Sequence, residues 1–150
     1  MKAMRLGAVV LSLALAATAC SGGGSSGSSS SSAAGSTSTA PTAQITVGSD
    51  QANDHGRVEA SGASSQPVQQ GNFFFSPTVI SGSAGQTLTI HLSNRGTAAH
   101  NFSIDSEHIN VTLQPGQSKA VKVTFPGSGF TEFYCSFHKK LGMVGELTVA

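Results

Sequence analysis

Tyr134-Cys135-Ser136-Phe137-His138-Lys139-Lys140-Leu141-Gly142-Met143 decides how this chain is read, because it holds a thiol, an imidazole and a thioether in the spacing C-x2-H-x4-M. All three metal-ligating side chains fall within nine residues. Just upstream, the residues alternate as a strand does: Thr131, Phe133 and Cys135 share one face, and Phe130, Glu132 and Tyr134 the other. Phe133 marks the face toward the core, so Cys135 is expected to point inward at a strand's end. Just downstream, Val144 to Val149 reads as the last strand. His138 and Met143 then lie on a loop between two strands, and such a loop can fold back until the three donors meet. Gly142, which has no Cβ, lets the backbone come close there.

The same period of two extends outward. Leu88, Ile90 and Leu92 alternate with Thr87, Thr89 and His91, so His91 is expected on the solvated side of a strand. Val121, Val123 and Phe125 alternate with Lys122 and Thr124. Ala99 to Ile104, His108 to Leu113 and Val68 to Phe75 are further strands, the last closed by Pro77 at an edge or bulge. Turn residues separate them at Ser83 to Gln86, Asn94 to Gly96, Pro115-Gly116 and Pro126 to Gly129. Gln44 to Val47 is a short strand, whereas Asp50 to Ser65 is polar, Gly-bearing and without a pattern. His55, in that stretch, is read as a surface-loop histidine, with an extra metal ligand as the alternative. Seven to eight short strands without a helical period imply an all-β sandwich over residues 44–150.

The start of the chain is different. Lys2 and Arg5 precede an uncharged apolar run of 14 residues, Leu6 to Ala19. That is shorter than the ~20 residues a spanning helix needs, and it fits an export signal over residues 1–20. Ala17-Thr18-Ala19-Cys20 resembles a bacterial lipobox, in which Cys20 becomes the lipidated N-terminus. Ordinary cleavage followed by an unrelated Cys20 is the competing reading. Residues 21–43 are nearly all Ser, Gly, Ala and Thr and are expected to be a disordered tether. About 20 such residues span about 25 Å, enough to hold a folded domain off a membrane by its lipid.

Cysteine usage agrees. The chain has two Cys; with Cys20 acylated and Cys135 on a metal, no disulfide is possible. The formal net charge is +1, and without Lys2 and Arg5 six basic residues face seven acidic ones, which gives −1. Nothing here points to nucleic acid.

His100, in Ala98-Ala99-His100-Asn101-Phe102, is the fourth candidate donor and comes from a separate strand. Two His and one Cys with a weak axial Met form the ligand list of a mononuclear blue copper site, cycling between Cu(I) and Cu(II). Zinc competes, although structural zinc takes four firm N or S ligands and rarely Met. The five histidines, His55, His91, His100, His108 and His138, include no H-x-H pair. Trinuclear oxidase chemistry is thereby disfavoured, and the single Cys of the loop disfavours a dinuclear centre. The chain is expected not to be an enzyme.

The run FYCSFHKKLGMVGELTV, together with AAHNFSI and FFFSPTVI…AGQTLTIHLSN, resembles the cupredoxins, the plastocyanin and azurin family, over roughly residues 72–150. The resemblance implies two sheets in a Greek key, His100 as first ligand, Cys135 as the short thiolate, His138 as second imidazole and Met143 as axial partner. It implies that Asn101 ties the two ligand loops together. Electrons would exit through His138 on an apolar patch, for which Phe137 and Leu141 are candidates, Leu141 equally as core. Tyr134 would offer a second route, with Glu132 alone as nearby negative charge, or be simply a packed strand residue. Lys139 and Lys140 would either steer an acidic partner or only solubilise. Phe137 replaces the family's usual Pro, which loosens the loop and makes the rim more apolar.

The implied function is a monomeric, membrane-tethered single-electron carrier outside the cytoplasm, anchored by its lipid on the outer membrane face or in the periplasm, between a redox protein donor and acceptor. An extracytoplasmic copper-binding or delivery module is the alternative. Storage clusters of Met are missing, since there are three Met in all and two lie near the signal.

Overall fold

The computed structural model describes residues 43–149. The expected signal, Cys20 and residues 21–42 of the tether lie outside the described residues. Twelve strands follow one another: β1 Gln44–Val47, β2 Asp50–Asn53, β3 Arg57–Glu59, β4 Ser65–Gly71, β5 Phe74–Ser76, β6 Val79–Gly82, β7 Thr87–Asn94, β8 His100–Ile104, β9 Ile109–Leu113, β10 Ser118–Thr124, β11 Phe130–Tyr134 and β12 Val144–Val149. There is no α-helix among the described residues, only short 3-10 turns at Asp105–Glu107 and Lys139–Leu141.

A four-stranded sheet, ordered β10-β7-β4-β5, faces a six-stranded sheet, ordered β3-β6-β12-β11-β8-β9. This is the all-β sandwich expected from the alternation, in the Greek-key arrangement that the resemblance implied. β7 has the alternating burial its sequence demands, with Leu88, Ile90 and Leu92 in the core and His91 exposed. Phe75, Phe102 and Phe133 form the centre of the core, with ring centroids 5.1–5.9 Å apart. Edge-to-face and offset contacts at such distances are the favourable ones for aromatic pairs.

The strand count exceeds the seven to eight expected, for local reasons. Residues 44–59, left without a pattern beyond β1, form a hairpin and an edge strand. Val47 pairs with Asp50, so Gly48-Ser49 is a two-residue hairpin loop, and Gly48 supplies the positive φ such loops need. β2 reads Asp-Gln-Ala-Asn, with only Ala52 apolar, too little to show a period of two. β3 adds in parallel to β6. The Val68–Phe75 stretch is not one strand either: the chain turns at Asn72-Phe73, and β5 returns against β4. Three consecutive Phe hid that turn. Pro67 is tolerated inside β4 because β5 pairs only with Gln69 to Gly71. His108, expected at the start of a strand, is instead in the left-handed conformation (φ 55°) after the first 3-10 turn, and the strand begins at Ile109.

Candidate metal centre

β11 ends at Tyr134, and Cys135, one residue on, continues its inward face; both Phe133 and Cys135 are fully buried. The backbone then closes a loop on itself. Cys135 N–H donates to Met143 O (3.0 Å), His138 N–H to Cys135 O (3.0 Å), and Leu141 N–H to His138 O (2.9 Å). Cys135 and Met143 therefore sit side by side where β11 and β12 diverge, and both side chains belong to the main core cluster. His138 is half-buried. His100 opens β8, a strand buried along its whole length, and is itself 0% exposed.

These segments converge. His100 Nδ1 lies 3.1 Å from His138 Nδ1, Cys135 Sγ 3.5 Å from His138 Nδ1, and Cys135 Sγ 4.0 Å from His100 Nδ1. First-row metal bonds to N and S are about 2.0–2.3 Å, so a metal within a trigonal set keeps its donors about 3.5–4 Å apart. The three atoms already stand close to that triangle, and the donor set fits a mononuclear copper site. Among the described residues, His100, Cys135 and His138 are the cluster of this kind, their ligand atoms all within 4.8 Å of one another. His55 is not part of it: its ring stacks on Phe74 at 3.5 Å. His91 and His108 also stand outside the cluster.

The ring orientation of His100 follows from a residue the sequence did not single out. Thr97 N–H donates to Asn72 Oδ1 (3.2 Å), which identifies that atom as the amide oxygen. His100 Nε2 is 3.1 Å from the same oxygen and must therefore carry the proton. In the neutral ring, Nδ1 is left as a lone pair facing Cys135 and His138. Burial, and secondarily the neighbouring His138, hold the His100 pKa below its ordinary value; burial does the same for His138. Both shifts favour the unprotonated, ligating form.

Asn101 links the two ligand segments. Its backbone N–H points at Cys135 Sγ (3.4 Å), its Nδ2 donates to Ser136 Oγ (2.8 Å), and its Oδ1 accepts from Ser136 N–H (2.7 Å). Phe73 lies tilted on His138, ring centroids 4.4 Å apart, and edge-on to His100 at 6.2 Å. Neither Asn72 nor Phe73 was legible beforehand, because nothing in a turn of unknown geometry ties it to a site near residue 138.

On the surface around His138, Phe137 is 57% and Leu141 54% exposed, so Leu141 is not core. The expectation that Glu132 alone brings negative charge near Tyr134 is corrected. Tyr134 donates its hydroxyl proton to Asp105 (2.7 Å), and Lys139, lying 4.4 Å from the Tyr134 ring centroid, pairs with both Asp50 (3.3 Å) and Glu132. Lys139 is therefore engaged inside the protein, while Lys140 is exposed. Gly142 has a φ of +86°, and a Cβ there would come within 2.8 Å of the Asn53 amide. Its close approach is to Asn53, a neighbour the sequence did not suggest.

A β-sandwich with two imidazoles and a thiol converging at one end of its strands defines a class, the mononuclear copper domain. A family model described as a Cupredoxin-like domain matches residues 13–149, and the chain belongs to that family of blue copper proteins, whose cofactor is a single copper ion. Plastocyanin A/B of Petroselinum crispum is 30% identical over 89 residues, 53% of this chain and 90% of that protein. Two solved structures share the fold. Auracyanin B is 19% identical, with a TM-score of 0.50 over 62% of this chain and 91% of that one. The metal-binding domain of a Cu(I)-exporting P-type ATPase from Streptococcus pneumoniae, with Cu(I), is 20% identical, with a TM-score of 0.51 over 64% of this chain and 97% of that one.

Proposed function

We propose that this chain is a single-electron carrier acting outside the cytoplasm, in which His100, Cys135 and His138, and more weakly Met143, would hold one copper ion. The observation that carries the reading is the asymmetry of the converged donors. Cys135 and His100 are sealed in the core, whereas His138 is half-buried beside exposed Phe137 and Leu141. When bound, copper supplies a one-electron couple, and a soft thiolate with borderline imidazoles suits both of its states. The protein's part is to hold those ligands still. Asn72 fixes the His100 ring, Asn101 fixes Cys135 through Ser136, and backbone bonds close the loop that bears His138 and Met143.

A donor or acceptor protein meets the apolar collar around His138. Tyr134, next to Cys135 in the chain and with its hydroxyl on Asp105, is a second exit. The work is electron transfer and not catalysis, and the protein acts as a monomer. Residues 1–20 serve as signal, Cys20 carries the lipid, residues 21–43 form the tether and residues 44–150 the working domain.

The deciding experiment is a Cu(II) titration of the purified protein, followed by visible absorption and EPR, with Cys135→Ser alongside. An intense blue band with narrow copper hyperfine splitting is expected, and its complete loss in Cys135→Ser, because the thiolate is the charge-transfer donor. A pale, ordinary-copper spectrum or preferential zinc uptake overturns the reading. Reversible voltammetry with slow Cu(I) loss to a chelator supports the carrier; ready Cu(I) exchange favours a copper-delivery module.

A further inference from the structure

The hairpin of β1 and β2 carries no metal-ligating residue of the site, yet it is bonded to the neighbours of two of the proposed ligands. Asn53, its last residue, is the hub. Its Nδ2 donates one hydrogen to Phe73 O (2.9 Å) and the other to Leu141 O (2.8 Å). Its backbone N–H donates to Gly142 O (2.9 Å). Phe73 is the ring lying on His138, and Leu141-Gly142 lead directly into Met143. The amide also occupies the space a Cβ on Gly142 would take. A second tie runs from Asp50 to Lys139, the residue after His138. Val47 and Ala52 pack on Val144, the residue after Met143.

We infer that Asn53 is a positioning residue for the copper loop, and that the β1–β2 hairpin is a brace which sets the pose of His138 and the reach of Met143. This rests on the copper assignment proposed above. The chemistry is specific to a primary amide. Two carbonyl oxygens from segments far apart in the chain must be satisfied by one side chain, and only an amide nitrogen brings two hydrogens on one short arm. A carboxylate of the same shape would set an oxygen, in place of the Nδ2 donor, against both carbonyl acceptors. Alanine would leave both carbonyls without that donor and free the Phe73 turn from the Leu141-Gly142 turn. His138 would then lose the fixed ring against it, and Met143 the fixed backbone before it.

The test uses the full chain with Asn53→Ala, and Val123→Ala as a destabilised control in the opposite sheet, where Val123 is buried in β10 away from the hairpin. In copper-free protein, Asn53→Ala is expected to speed amide hydrogen exchange at Leu141, Gly142 and Met143 about tenfold. Loaded with copper, it is expected to show an altered EPR hyperfine splitting and to lose Cu(I) to a chelator about tenfold faster, the usual scale for residues that orient ligands. Val123→Ala should change none of these. Should Asn53→Ala fail to fold, Asn53→Ser, which keeps one donor, takes its place under the same criteria. Parental EPR and release rate in the Asn53 variant overturn the inference, as does an equal change in Val123→Ala. A parent protein with no blue band removes the copper assignment instead; the exchange measurement on copper-free protein still decides whether Asn53 braces the loop.

Discussion

His100 and His138 present the same atom, Nδ1, to the same point from opposite circumstances. His100 begins a strand buried on both faces, is wholly sealed, and has its far nitrogen fixed by Asn72. His138 rides a loop, is half-buried, and is held by backbone bonds and the tilted ring of Phe73. In the carrier proposed above, one histidine anchors and the other is a window. A carrier needs both: rigidity keeps ligand rearrangement small as charge changes, and exposure of one ligand brings a partner near. A site sealed on both sides would hold metal without exchanging electrons, and one open on both would lose it.

That asymmetry can be broken most strongly from the anchored side. Asn72→Ala removes the acceptor of His100 Nε2–H and frees the tautomer, and is expected to weaken copper affinity about 10- to 100-fold in a competition titration. Unchanged affinity would mean that the strand alone orients the ring.

Acid acts on both histidines. Burial lowers the pKa of His100 and of His138, and that of His55, below the ordinary 6.5. The unfolded chain therefore takes up protons that the fold refuses, so stability is fully present above pH 6.5 and falls as the pH drops from there through the lower folded values. Thermal unfolding of the copper-free protein across that window should show a falling midpoint, and copper affinity should fall with it because bound imidazoles must be unprotonated. A flat midpoint from neutral pH downward would contradict the burial argument.

Smaller effects are expected on the window side. Phe73→Leu keeps apolar bulk but loses the ring contact with His138. It should cost about 1 kcal/mol in denaturant unfolding, with a change in the EPR spectrum. An identical spectrum would show that the loop backbone alone sets the ring. Leu141→Ser, at a residue 54% exposed, should leave stability within about 0.5 kcal/mol and the blue band unchanged, while slowing electron self-exchange measured by NMR line broadening. An unchanged exchange rate would place the contact surface elsewhere.

The legibility of the molecule varied with how local each signal was. β7 and β11 could be read because one buried face imposes alternation, and Cys135 followed from the parity of Phe133. The loop donors could be read because three ligating side chains in nine residues are rare by chance. The second strand of the hairpin at residues 44–53 could not, because Asp-Gln-Ala-Asn has one apolar residue and its pairing with Gln44–Val47 is stated only by Gly48-Ser49. The turn at Asn72-Phe73 was masked by apolar neighbours that suggested a continuous strand. Lys139 looked like a free surface charge until folding brought Asp50 and Glu132 to it.

By itself the sequence determined the sandwich class, the inward thiol and the identity of four candidate donors, since periodicity and side-chain chemistry are properties of neighbouring residues. Only the tertiary structure decided which residues make those donors a site. Asn72 sets the tautomer of His100 from 28 residues away, and Asn53 reaches Leu141 across 88. Such contacts have no sequence signature, because the hydrogen-bond partner of a polar side chain is chosen by the packing of distant strands and not by the chain on either side of it.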